Sequence, residues 1–228
     1  MKIWPFRLQH WPLYAAMLVV AAFSVVFGMI ADEMSEGETL AFDNAILLWF
    51  RDPQNTADPL GPPWLQEAVR DITALGSFSI LALLLLLVVL ALAMSGRRGT
   101  ALFVAGSVIG GEILSTIFKN VFNRTRPEFI DPAHVLSASF PSGHAALSAI
   151  VYLTLGTILA GSTDKLSLRV FYLGVAIFLT LIVGVSRLYL GVHYPTDVIA
   201  GWALGIGWAL LSGVAFRLWE ITHPQKPL

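Results

Sequence analysis

Six stretches of this chain are long and apolar enough to cross a lipid bilayer, near residues 12–31, 72–95, 100–122, 143–161, 169–190 and 195–218. A helical crossing takes roughly 20 apolar residues. Hydrocarbon offers no water to backbone N–H and C=O groups, so continuous runs of this length have to cross as helices. The pattern predicts an all-α fold, a polytopic membrane helix bundle with six transmembrane helices in a single membrane-embedded domain over residues 1–228. Composition agrees, since charged residues make up only 13% of the chain, against about 25% in soluble domains. The first run follows Lys2 and Arg7, as a signal peptide would. It is too long for one, and Met29-Ile30-Ala31 is a poor cleavage site, so it reads as an uncleaved first helix.

Two classes of function fall away. A net charge of −1 gives no basic stripe for nucleic acid. The absence of cysteine excludes disulfides, thiolate metal sites and cysteine-based phosphoester chemistry.

The basic residues set an orientation. With the N-terminus in the cytoplasm, Lys2, Arg7, Arg97, Arg98, Lys165, Arg169, Arg217 and Lys226 all fall inside, and the C-terminus with them. Arg51, Arg70, Lys119, Arg124, Arg126 and Arg187 fall outside, together with the acidic segment 32–71. That segment is the sizeable extracytoplasmic loop. Its first part, with Phe42, Ile46, Leu47, Trp49 and Phe50, fits a short amphipathic helix on the membrane surface. Its second part, with Pro59, Gly61, Pro62 and Pro63, is expected to be extended or turned. An interfacial anchor is the plainer reading of this loop, and a lid or substrate-selecting element the alternative. Gly106, Gly110 and Gly111 in the third span, and Gly201, Gly205 and Gly207 in the sixth, are expected to let helices pack closely within one subunit.

Three polar clusters interrupt the apolar runs. They are Lys119 with Arg126-Pro127, then Pro141-Ser142-Gly143-His144, then Ser186-Arg187 with His193 and Asp197. The first two share the connection between spans three and four, and the third closes the gap between spans five and six. With alternating crossings those two connections lie on the same face whichever way the protein is inserted. Charges held beside lipid cost roughly several kcal/mol, so their presence points to a site for something anionic.

Lys119, Arg126 and Arg187 together suit a tetrahedral oxyanion: arginine supplies a planar fork of donors and lysine a point charge. The Ser142 and Gly143 N–H groups, at the expected start of a helix, add further donors, and Gly143 leaves room for close approach. His193 and Asp197 are four residues apart, a spacing that can align them on one helical face, with Pro195 tolerated in the first turn. A carboxylate that takes one imidazole N–H fixes the tautomer and frees the other nitrogen. His193 is therefore the candidate nucleophile, Asp197 its orienting partner and His144 the general acid for the leaving oxygen. This division of roles predicts a bell-shaped pH profile around neutrality.

Other ionisable residues read more plainly. His10, His134 and His223 fit interfacial positions, and Arg124 fits a snorkelling anchor at a helix end. Zinc is a poor occupant for the cluster, because three nearby cations would repel it. No metal and no cofactor is expected. Glu112, seven residues before Lys119 within the third span, is either a polar partner inside the bundle or a residue lining the path of a lipid.

The three clusters, complete in order and spacing across residues 119–197, resemble the signature of the type 2 phosphatidic acid phosphatase superfamily, to which the vanadium haloperoxidases are related. The segment Asp71-Ile72-Thr73-Ala74-Leu75-Gly76-Ser77 also looks like the second-helix entry of bacterial members. The resemblance implies metal-independent dephosphorylation of a membrane lipid phosphate at the outer face of a bacterial cytoplasmic membrane. It implies phosphate binding by Lys119, Arg126, Ser142, Gly143, His144 and Arg187. It further implies leaving-group protonation by His144 and attack by His193 oriented by Asp197. Expected substrates are phosphatidylglycerophosphate, phosphatidic acid, undecaprenyl diphosphate or a lipid A phosphate. The alternatives are a lipid phosphotransferase using the same phosphohistidine, or a non-catalytic anion-binding membrane protein. A haloperoxidase would be a soluble bundle, and six spans argue against it.

Overall fold

The computed structural model describes residues 11–128 and 137–222. Among them the chain forms eight helices: α1 (Trp11–Glu36), α2 (Leu40–Leu48), α3 (Pro63–Ala74), α4 (Phe78–Met94), α5 (Arg98–Phe122), α6 (Gly143–Gly161), α7 (Leu166–Tyr189) and α8 (Pro195–Thr222). Five of these, α1, α5, α6, α7 and α8, are long and apolar enough to cross a membrane; α3 and α4, bent by 42° across a short break, make a sixth when taken as one span. The all-α bundle expected from the sequence is the fold observed. His10, His134 and His223 lie outside the described residues, as do Lys2, Arg7 and Lys226.

The sequence pattern suggests one continuous helix over 72–95, and the structure breaks it at residues 75–77. A Cβ on Gly76 would stand 2.3 Å from Val183 Cγ1 and 3.4 Å from His144 Cβ, so the chain passes very close to α7 and α6 there. Ser77 restarts the helix as an N-cap, its Oγ accepting from the Ile80 N–H at 3.4 Å. The Tyr152 hydroxyl donates to Leu75 O at 2.7 Å, satisfying a carbonyl that the break frees.

α6 is the central helix and packs against α4, α5, α7 and α8. Its long buried stretch is rich in alanine, with Ser148, Thr154 and Gly156 among its small residues, and it carries the second polar cluster at its start. α8 comes closest to it: a Cβ on Gly201 would stand 2.7 Å from Ser142 O, and one on Gly205 2.5 Å from Ala146 O. Gly110 and Gly111 give the same closeness to Trp208, whose indole N–H donates to Ser107 O at 2.7 Å. Gly106 differs from expectation, because nothing lies within 4 Å of the position its Cβ would take. α1 lies outermost and packs on α8. An aromatic cluster of Phe27, Phe118, Phe122 and Phe140 fills the space beneath the second polar cluster, with ring centroids 4.7 to 6.4 Å apart.

Segment 32–71 is more helical and more firmly tied down than its composition suggests. α1 runs on to Glu36, and Pro63 opens α3 at a position where its missing N–H costs nothing. Phe42 and Trp49 are exposed, as an interfacial helix requires, but α2 also buries Asp43 and Leu47. The buried Arg51 donates to Tyr189 O and lies against Gly191, while the Tyr189 hydroxyl donates to Leu60 O at 2.7 Å. Gly191 has φ +68°, which only glycine adopts without strain. The segment is thus clamped onto the α7–α8 turn.

Candidate active site

The end of α5 decides where the first cluster goes. Asn123, in the left-handed region at φ 43°, closes α5 with its N–H on Lys119 O at 3.0 Å. The extended chain beyond it sends Arg124 and Arg126 to different partners. Arg126 Nε donates to Ser137 O at 3.0 Å, Nη2 to Ser137 Oγ at 3.0 Å and Nη1 to Val192 O at 2.8 Å. Nη1 also stands 3.2 Å from His193 Nε2. Lys119 Nζ donates to Ala138 O at 3.0 Å, and its Cε lies 3.3 Å from the position of a Cβ on Gly143. Any side chain at 143 would therefore press on the lysine.

The second cluster opens α6 with Ser142 as its N-cap residue and Gly143 as its first helical residue. The Ser142 N–H is taken by the Asp197 backbone carbonyl at 2.9 Å. This corrects the expectation that it adds a donor for an anion. Ser142 Oγ, fully buried, has no partner among the described residues, and the first-turn N–H groups of Gly143 and His144 have no intrahelical carbonyl. His144 sits against Gly76 and feels the charges of Arg187, Lys119 and Arg126.

The third cluster is split by the start of α8. His193 precedes the helix rather than sharing its face, and Asp197 lies in the first turn. Asp197 Oδ2 accepts from the Tyr194 N–H at 2.9 Å and from Ser139 Oγ at 2.5 Å, and stands 3.4 Å from His193 Nδ1. The carboxylate thus reaches back to cap the helix while it holds the imidazole. Ser139 Oγ is also 3.3 Å from His193 Nδ1. Arg187, near the end of α7, donates from Nη1 to Thr73 Oγ1 at 3.0 Å, and its buried Nε has no partner among the described residues.

Lys119, Arg126, Ser142, Gly143, His144, Arg187, His193 and Asp197 accordingly converge on one end of the bundle. Glu112 does not join them. It lies about two turns before Lys119 on α5, half-buried, and forms no hydrogen bond or ion pair among the described residues.

His193 is 2% exposed, and burial, reinforced by Arg187 and Arg126, pushes its pKa down to about 3 even though Asp197 opposes the shift. The ring is neutral throughout the ordinary pH range. An Nδ1–H facing Asp197 leaves the Nε2 lone pair facing Arg126. So low a pKa argues against His193 as the source of the acid limb expected near neutrality.

Three contributors escaped sequence reasoning. Ser139 carries no spacing signal. Asp43 reads as one more acid in an acidic loop. Arg124 is no snorkelling anchor: its side chain is 7% exposed and lies between Asp43 at 2.7 Å and Asp197 at 2.8 Å, both fully buried. The proximity of Arg124 to the first cluster was the only available hint.

Known proteins resemble this arrangement. A sequence model of the PAP2 superfamily matches residues 100–219. Phosphatidylglycerophosphatase B of Bacillus subtilis is 37% identical over 151 residues, which is 63% of this chain and 71% of that protein. An undecaprenyl-diphosphatase of Sulfolobus acidocaldarius is 34% identical over 122 residues, 51% of this chain and 53% of that protein. The crystal structure of a transmembrane PAP2-type phosphatidylglycerolphosphate phosphatase from Bacillus subtilis superposes with a TM-score of 0.72 at 27% identity, covering 90% of this chain and 97% of that one. Its apolar helices and this fold make the chain a multi-pass membrane protein.

Proposed function

This chain belongs to the PAP2 superfamily, and from that premise we propose that it is a lipid phosphate phosphatase. It hydrolyses a phosphomonoester or diphosphate whose tail stays in the bilayer, through a phosphohistidine, at the outer face of a bacterial cytoplasmic membrane. One observation carries the reading. A single imidazole has Nδ1 3.4 Å from a buried carboxylate and Nε2 3.2 Å from an arginine of the cation cluster.

The chemistry follows from that placement. Lys119, Arg126 and Arg187, with Ser142 Oγ and the free N–H groups of Gly143 and His144, hold the phosphoryl oxygens. The two lower-charge partners of Arg126 and Lys119, the carbonyls of Ser137 and Ala138, yield to the more strongly charged anion. His193 Nε2 attacks phosphorus; an N–P bond forms as the bond to the leaving oxygen breaks, and His144 gives that oxygen a proton. Water then attacks phosphorus, His144 takes its proton back, the N–P bond breaks and phosphate leaves. Asp197 steadies the positive charge that builds on His193. The relatives make phosphatidylglycerophosphate the first substrate to test and undecaprenyl diphosphate the second. Glu112, below Lys119 on α5, remains our candidate for contact with the lipid on its way in.

The test is phosphate release by the purified protein in detergent from both lipids, in EDTA and with orthovanadate as inhibitor. Wild type should release inorganic phosphate and form an acid-labile phosphoprotein, and His193→Ala should do neither. Full activity in His193→Ala would end the proposal, and transfer of the phosphoryl group to a second lipid would make the protein a phosphotransferase.

A further inference from the structure

Arg124 and Asp43 lie outside the three clusters, yet their side chains are only 7% and 0% exposed. Arg124 Nη1 donates to Asp197 Oδ1 and to Thr196 Oγ1, each at 2.8 Å. Its Nη2 donates to Asp43 Oδ2 at 2.7 Å and to Thr39 Oγ1 at 3.2 Å. The Tyr194 ring lies beneath the guanidinium, 4.1 Å from its carbon. Asp43, from α2, accepts in addition from the Thr196 N–H at 3.0 Å and from the Thr196 hydroxyl at 2.8 Å. A helix from the 32–71 segment thereby caps the start of α8, the helix that carries Asp197.

A buried ion pair is weak evidence for stability, since desolvation offsets much of its attraction. Here the arrangement is a guanidinium shared by two carboxylates. One of them has its second oxygen on the candidate nucleophile. Arg124 occupies Asp197 Oδ1, while Ser139, the Tyr194 N–H and His193 divide Oδ2. With Oδ1 held, the carboxylate cannot rotate away from His193. Left alone beside Asp197, the arginine would also cancel the negative field that stabilises an imidazolium. Asp43 counters the arginine and leaves that field in place.

We propose that Asp43 and Arg124 form a carboxylate–guanidinium relay that positions Asp197 and, through it, His193. Both are positioning residues, and the proposal rests on the phosphohistidine reading above. It gives the 32–71 segment a part in catalysis from α2.

The experiment uses the full chain in detergent with short-chain phosphatidic acid as substrate and inorganic phosphate as competitive inhibitor. Asp43→Asn keeps the shape and an acceptor for the Thr196 N–H, and Arg124→Lys keeps the charge while losing the fork that spans two carboxylates. Each should lower kcat by about tenfold to a hundredfold, as loss of an outer partner does for metal-bound histidines. KM and the inhibition constant for phosphate should stay within about threefold, because Lys119, Arg126 and Arg187 are untouched. Asp43→Asn combined with Asp197→Asn should lose no more than Asp197→Asn alone, since the relay acts only through that carboxylate. Losses that multiply in the double variant would overturn the proposal, as would kcat within about twofold of wild type in Asp43→Asn. A rise in KM and in the phosphate constant to match the fall in kcat would overturn it too, by showing general distortion of the site. His193→Ala is measured alongside: if it stays active the phosphohistidine reading fails, and if it is dead while Asp43→Asn is normal only the relay fails.

Discussion

In the proposed mechanism the imidazole of His193 meets two opposed demands. It must be neutral to attack, and it must accept positive charge as it does so. Burial and the neighbouring arginines meet the first, holding its pKa at about 3, well below the ordinary histidine value. Asp197 meets the second. Because the folded ring binds no proton where an unfolded one would, its contribution to stability is present above about pH 6.5 and is lost as pH falls toward its folded pKa. We expect the ring nitrogens of 15N-histidine-labelled protein, assigned with His193→Gln, to keep neutral chemical shifts for His193 at pH 5. A titration midpoint near 6.5 would mean that the ring is solvated. The candidate anion-binding and nucleophile residues are legible at this scale because fixed cations and imidazoles are costly in an apolar chain, so Lys119, Arg187 and His193 stand out as a set. Ser139 and Asp43 are invisible because serines and aspartates in polar segments between spans are ordinary, and only folding shows which of them face inward.

Among the helices, closeness is set by what is missing from the side chains. Gly201 and Gly205 bring α8 against the first turns of α6, which puts the Asp197 carbonyl within reach of the Ser142 N–H. Gly205→Ala would place a Cβ 2.5 Å from Ala146 O and 2.6 Å from Ala149 Cβ, an overpacking of the kind that costs about 1–3 kcal/mol. Gly106→Ala meets nothing within 4 Å. In thermal denaturation in detergent, Gly205→Ala should melt well below wild type and Gly106→Ala should match it; equal melting temperatures would contradict the packing argument. The spans themselves follow from hydrophobic run length, and α5, α6 and α8 fall within a few residues of their expected limits. What run length misses is the break between α3 and α4, where Gly76 passes close to α7 and α6 and Ser77 caps the helix that follows. The short helix expected in segment 32–71 is present as α2, but its composition does not show that Asp43 turns inward beside Leu47 and holds the helix to α8.

For the molecule as a whole, alternation decides which parts meet. Odd-numbered connections between spans lie on one face, so the segment after α1, the α5–α6 connection and the α7–α8 turn are brought together, and the structure ties all three to one another through Asp43, Arg124, Thr196 and Arg51. Parity says nothing about which compartment that face meets. The described basic residues at the opposite end, Arg97, Arg98, Lys165, Arg169 and Arg217, favour the cytoplasm there, which is the ground for proposing that the site faces outward. A chain without cysteine offers a direct test. Asn55→Cys lies in the exposed turn after α2 on the site face, and Asp164→Cys in the fully exposed α6–α7 turn on the other. In intact spheroplasts a membrane-impermeant maleimide should label Asn55→Cys and leave Asp164→Cys unlabelled until the membrane is opened. The reverse pattern would place the phosphate site in the cytoplasm, and the substrates to consider would then be those presented by the inner leaflet.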